Sequence, residues 1–302
     1  MLCTGPGENM LIIEYLLKTV LCLLLLAYSY MQQSIQFLKM TDEVFSASME
    51  KKNATSGNKY DYIVVGGSNA LTGVSARTIS MKTNSNAYNL AISACEGAGL
   101  LDYPDWLSQS NSTTKSVIYS SMNIWHLARR SPCELYSDSL SNQPYHRPFN
   151  VIPLARTISN ALQKMSFSIN EYGDLTVRSC DPMIPPFDPG YVHTNDTVNI
   201  RLKNFIRMVN ATKEYMHADE IFVRIPPIYV SPQAVPTFEH YLSYIHTAFR
   251  AHGIALLGTE QALTTDSTKM CFGPNHPTNA AREEYTDALI QELTAHKQLV
   301  LQ

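Results

Sequence analysis

Charge is scarce in this chain. Asp, Glu, Lys and Arg make up 16% of its 302 residues, against roughly 25% in an ordinary soluble domain. Neither sign dominates: 23 basic residues face 26 acidic ones, a formal net charge of −3. No basic stripe offers itself to a nucleic-acid backbone, so that class of partner is excluded. Tryptophan occurs only twice, and Trp106 and Trp125 read as core or pocket wall rather than as a platform for stacking sugars. The six cysteines include no C-x-x-C pair, and none precedes a histidine at zinc-ligand spacing. A structural zinc site is therefore not expected, and nothing else in the sequence calls for a metal or an organic cofactor. The G-x-S-x-G elbow of the common α/β-hydrolases is also missing. What the chain does have is 45% hydrophobic residues, enough for a packed core and incompatible with general disorder. Its polarity comes from Ser, Thr, Asn and Gln, a surface suited to a substrate held by hydrogen bonds rather than by ion pairs.

Residues 11–30 read LIIEYLLKTVLCLLLLAYSY, and after Lys18 no charge appears until Lys39. Glu14 and Lys18 stand four apart, a spacing that lets them pair on one helical face. The block is either an uncleaved signal anchor or a signal peptide with Ala27 and Ser29 before the cut. Leu21 precedes Cys22, so there is no lipobox. Both readings put the rest of the chain beyond the cytoplasm, in the periplasm on an inner-membrane anchor, or exported. Residues 1–31 are thus the anchor or signal, 32–59 a polar linker ending in KKNATSGNK, and 60–302 the folded domain. The N-x-S/T sequons at Asn53, Asn111, Asn195 and Asn210 occur at about chance frequency and decide nothing.

Within 60–302, short β-branched or apolar runs at 60–65, 87–92, 116–120, 220–225 and 254–257 predict strands. Helices are predicted over 99–109, 123–130, 198–215, 238–252 and 278–297. Strand and helix alternate, so the expected fold is an α/β three-layer sandwich around a parallel sheet of about five strands. Residues 131–196, rich in proline and poor in long apolar periods, read as an insertion between the third and fourth strands. The other histidines show no metal spacing, His126 reads either as bordering the pocket one turn after Asn123 or as a surface residue, and 217–220 as a solvated helix end.

Chemistry in a parallel sheet collects where strands end. After the first strand stand Gly66, Gly67, Ser68 and Asn69; after the second, Ser93, Ala94, Cys95 and Glu96; after the third, Ser121, Met122 and Asn123. Beyond the fifth comes CFGPNHPTN over 271–279, opening the last helix. A serine, backbone turns, an asparagine and a histidine meeting at one edge are the parts for acyl transfer: nucleophile, oxyanion donors and base.

Taken in this order, the four blocks resemble those of the SGNH (GDSL-like) hydrolase superfamily, over residues 60 to about 293. GGSN at 66–69 resembles the nucleophile block and implies Ser68 as nucleophile. YNLAISACEG at 88–97 resembles the oxyanion block, with Ala94 where the family has glycine; its N–H survives the exchange. SMN at 121–123 resembles the G-x-N block and implies Asn123 as side-chain oxyanion donor, beside the Ser68 amide. FGPNHPTNAAREEYTDAL implies His276 as base. Gly273 stands where the family usually keeps the aspartate that orients the histidine. Its substitute is a backbone carbonyl within 271–273, or Asp266 or Glu260 folding back. Cys95, Cys133, Cys180 and Cys271 are either buried free thiols or two disulfides with three possible pairings. With Cys95 and Cys271 at the catalytic edge and Cys133 and Cys180 in the insertion, the pairing to test is Cys95–Cys271 with Cys133–Cys180. The resemblance implies an esterase or acyltransferase acting on acyl esters of a surface polysaccharide. The other reading is an inactive SGNH-like domain that binds glycan during export or assembly.

Overall fold

The computed structural model describes residues 18–21, 51, 57–91, 113–127, 167–177, 180, 184–192, 196–271 and 273–300. The chain divides into two compact units, Met1–Ser46 with Pro144–Gln163, and Ala47–Gln143 with Lys164–Gln302. In the first, residues 18–21 are helical and exposed. Among the described residues no helix is long and apolar enough to cross a membrane. The rest of the expected anchor or signal lies outside the described residues. So do most of the linker, the helix expected over 99–109, Trp106, and the Ala94 and Cys95 block.

Every element named below belongs to the second unit. Its centre is a five-stranded parallel sheet made of β1 (Lys59–Gly66), β2 (Ala87–Asn89), β3 (Thr113–Ser120), β6 (Glu220–Arg224) and β8 (Ala255–Leu257). Their order is β2-β1-β3-β6-β8, the flavodoxin-like arrangement, with every pairing parallel. Side chains alternate between faces along a strand. Ile63, Val65, Val117, Tyr119 and Val223 therefore enter one core with helices α3 (Asp196–Tyr215) and α4 (Val235–Ala251). Tyr62, Val64, Ile118 and Phe222 enter the other, with α1 (Ser68–Gly73), α2 (Ala76–Thr83) and α5 (Asn279–Val300). A sheet covered on both faces needs apolar residues at successive positions, which is why these strands read as continuous runs.

Two regions depart from expectation. Residues 68–83 carry two helices that the Ser- and Thr-rich sequence conceals. Two caps start α2: Ser75 Oγ accepts from the Thr78 N–H at 3.2 Å, and Asp174, from a distant hairpin, accepts from the Ala76 N–H at 2.8 Å and the Arg77 N–H at 3.0 Å. That hairpin pairs β4 (Phe167–Ile169) with β5 (Leu175–Val177). The helix expected over 123–130 is instead a single 3-10 turn, Met122–Trp125, within the described residues. Trp125 leaves the helical path to bury its indole, donating to the Pro226 carbonyl at 2.9 Å. Being wholly buried, it is core. A short parallel pair, β7 (Ile228–Tyr229) with β9 (Leu263–Thr264), extends the carboxyl edge.

Candidate active site

In an open α/β sheet the ligand crevice forms where the strand order reverses, outside the carboxyl ends of the strands. Here that point lies between β1, which connects outward to β2, and β3, from which the chain proceeds the other way. Ser68 follows β1 and Asn123 follows β3.

Packing positions the serine. Gly66 has φ of +140°, and a Cβ on it would stand 1.9 Å from the Ser120 carbonyl oxygen, so only glycine lets β1 and β3 close at this level. Gly67 caps α1 and Ser68 opens it. Asn69, wholly buried, donates from Nδ2 to Ser120 Oγ at 3.3 Å. Asn89 donates to the carbonyls of Ala70 and Val74 at 3.3 and 3.0 Å, clasping α1 from the neighbouring strand. The Ser68 hydroxyl lies 2.9 Å from His276 Nε2.

His276 reaches that position on a tight loop. The Cys271 N–H donates to the His276 carbonyl at 2.8 Å and the Thr278 N–H to the Lys269 carbonyl at 2.8 Å, with an antiparallel bridge between Met270 and Pro277. Two outside elements grip the loop. The Tyr229 N–H donates to the Pro274 carbonyl at 2.6 Å, and Cys271 is disulfide-bonded to Cys180, 91 residues away, with Cα atoms 4.3 Å apart. This bond replaces both expected pairings, since each sulfur forms a single bridge; Cys95 and Cys133 lie outside the described residues.

Asn123 is half-buried in the turn after β3. Its N–H donates to Ser121 Oγ at 3.1 Å, and its carbonyl accepts from the His126 N–H at 3.1 Å. Ala94, the further oxyanion residue of the sequence reading, lies outside the described residues. Gly273 has φ of +80°, and a Cβ there would stand 3.6 Å from His276 Nδ1. The position is thus the one from which an aspartate would meet the imidazole, and glycine supplies no side chain. Asp266 is turned elsewhere: its carboxylate accepts from the Thr268 N–H at 2.9 Å and the Thr268 hydroxyl at 2.6 Å. Those bonds hold it below the ordinary carboxylate range, and it caps the turn Ser267–Lys269. Glu260 is exposed on the turn after β8.

Two further residues of this edge are shaped by burial, and only Arg224 carried no expectation from the sequence. His126 is no surface histidine. Burial pulls its pKa down to about 4, and its ring packs edge-on against Phe187 and Tyr191, with centroids 5.4 and 4.7 Å away. Arg224, the last residue of β6, is 2% exposed, and neither Nε nor Nη1 has a hydrogen-bond partner. Its Nη1 would stand 3.5 Å from a Cβ on Gly73, a position that also faces Pro277. The guanidinium therefore lies beneath α1 and the histidine loop. Burial lowers its pKa to about 10, against the opposing charge of Glu292. In sequence Arg224 is a charged residue inside the run predicted as a strand over 220–225, and its burial comes from distant elements, so no local signal marks it. Among the described residues, no three His, Cys, Asp or Glu side chains gather as a metal site.

No family model matches the sequence, and no curated protein matches it. Among solved structures, an active-site mutant of a family two carbohydrate esterase from Clostridium thermocellum is 11% identical, with a TM-score of 0.35 over 80% of this chain. The match spans 64% of that protein, and a likeness so slight carries no inference of its own.

Proposed function

We propose that this chain performs serine-dependent acyl-ester chemistry of the SGNH type, removing an O-acetyl group from a surface polysaccharide or transferring one to it, outside the cytoplasm. One observation carries the reading: a serine hydroxyl and a histidine Nε2 stand 2.9 Å apart at the carboxyl edge of a parallel sheet, at its switch point. Nucleophile and base at that separation form the working pair of acyl transfer. His276 Nε2 takes the hydroxyl proton as Ser68 Oγ attacks the ester carbonyl. The oxyanion is received by the Ser68 N–H and the Asn123 side chain, with the Ala94 N–H as third donor. Collapse expels the alcohol, which takes the proton back from His276, and the acyl group passes from Ser68 to water or to a sugar hydroxyl. The Cys180–Cys271 bond supports the location, because disulfides persist in oxidising compartments.

A second reading, an inactive SGNH-like domain that binds glycan, has one observation in its favour: Gly273 puts no carboxylate beside His276, and Asp266 serves Thr268 instead. In a serine protease, loss of the orienting carboxylate costs about 10⁴ in rate. Turnover of p-nitrophenyl acetate separates the two. Catalysis predicts measurable turnover that falls by about 10³-fold or more in Ser68→Ala, with the melting temperature unchanged. Equal rates in both proteins would remove Ser68 from the mechanism. Absence of turnover, with acetylated saccharide still bound, would establish the binding domain.

A further inference from the structure

Residues 184–192 join the two halves of the catalytic edge. The Phe187 N–H donates to the Tyr229 carbonyl at 2.7 Å, and the Tyr229 N–H donates in turn to Pro274 in the histidine loop at 2.6 Å. At the other end, Phe187 and Tyr191 hold His126, which closes the very turn that presents Asn123. Phe187 is buried, whereas Tyr191 and His126 keep part of their surface in solvent. A stretch of the region between β3 and α3 thus forms a wall running from the oxyanion side of the site to the base side.

We propose that this wall is the seat of the alcohol half of the ester, and that Tyr191, with His126 beside it, receives a pyranose ring bearing the O-acyl group. The inference rests on Ser68 as the reacting centre and adds where the sugar sits. The wall combines an aromatic face with uncharged hydrogen-bonding edges. The His126 ring is neutral at pH 7, its Nδ1 is buried with no partner, and Nε2 is the nitrogen left for a ligand. An apolar ring face rimmed by hydroxyls matches such a surface, and the Arg201 guanidinium at its margin is already engaged, donating to the His126 and Leu127 carbonyls at 3.5 and 3.4 Å. Tyr191 meets the C–H face of the sugar, and His126 Nε2 meets a hydroxyl or ester oxygen.

The test uses the full chain carrying Ser68→Ala, so that ester is bound and not consumed. Calorimetric titration with β-D-glucose pentaacetate is compared in that protein and in versions also carrying Tyr191→Phe, Tyr191→Leu or Tyr191→Ala. Tyr191→Phe keeps the ring face and is expected to hold Kd within threefold. Tyr191→Leu keeps bulk but loses the ring and is expected to weaken binding tenfold or more, as is Tyr191→Ala, with melting temperatures within a few degrees of the parent. Unchanged Kd in Tyr191→Leu, loss of affinity in Tyr191→Phe equal to that in Tyr191→Leu, or no binding by the parent protein would overturn the assignment. Hydrolysis of the same compound by the wild-type chain is scored separately. Its absence would count against the esterase reading while leaving the Tyr191 comparison to decide the subsite.

Discussion

Ser68 and His276 meet at 2.9 Å, yet they are held in opposite ways. The serine stands on the sheet itself. Gly66 packs on the Ser120 carbonyl, Asn69 bonds Ser120 Oγ, and Asn89 holds the helix that Ser68 opens, all of it buried and non-covalent. The histidine stands on a loop secured from outside the sheet, by a disulfide to a residue 91 positions away and by the β7 backbone. The serine half is therefore as stable as the core, and the histidine half only as stable as its tethers. Activity can be lost on the second side with the fold intact, but on the first side packing changes take the fold with them.

The sharpest way to break this contrast is at Gly66. A Cβ 1.9 Å from a backbone oxygen has no flexible neighbour to displace, so Gly66→Ala is expected to cost about 4 kcal/mol or more, a loss reserved for severe core lesions. Chemical denaturation checks it; a variant within 1 kcal/mol of wild type would show that β1 and β3 can part. On the histidine side, replacing Cys180 and Cys271 together by serine is expected to cost about 2–4 kcal/mol. Activity should also fall tenfold or more at temperatures where the variant is still folded. Wild-type rates under those conditions would show that the loop needs no tether.

A third effect belongs to the wall. An unfolded chain protonates His126 near pH 6.5 and the folded one only near 4. Between these values the unfolded state binds the extra proton, so stability rises with pH across that window and falls as the solution is acidified. Taking the protein from pH 7 to 4 is expected to cost about 3 kcal/mol through this residue, seen as a steeper decline of melting temperature than in His126→Gln. Parallel curves would contradict the burial of the ring. The smallest effect is expected at Asp266. Asn is as good a cap as Asp, so Asp266→Asn should leave kcat/KM within twofold. A hundredfold drop with folding retained would make Asp266 the group that orients His276.

The same division separates what could be read in the sequence from what could not. The five sheet strands were legible because a doubly covered sheet writes itself as apolar runs, and Ser68 and His276, which stand 2.9 Å apart, because one follows a strand and the other precedes a helix. These are local signals. Asp174 capping α2, Cys180 bridging to Cys271, and Phe187 and Tyr191 covering His126 are all contacts between distant segments, and no short window contains both partners. The expected Cys95–Cys271 and Cys133–Cys180 bridges fail for that reason: nearness in role is not nearness in space. Arg224 is hidden differently, since its burial depends on α1 and α5 closing over the end of the strand.

Gly66 has one more consequence, in the history such a sequence can have. Its requirement comes from two strands touching and is indifferent to whether an ester is ever cleaved. Ser68 and His276, by contrast, are partly exposed, so drift can replace them without disturbing the core. A lineage descended from this chain that gave up catalysis would be free to lose the serine and bound to keep the glycine two places before it. Across such descendants, the first letter of the motif would record shape and the third would record chemistry.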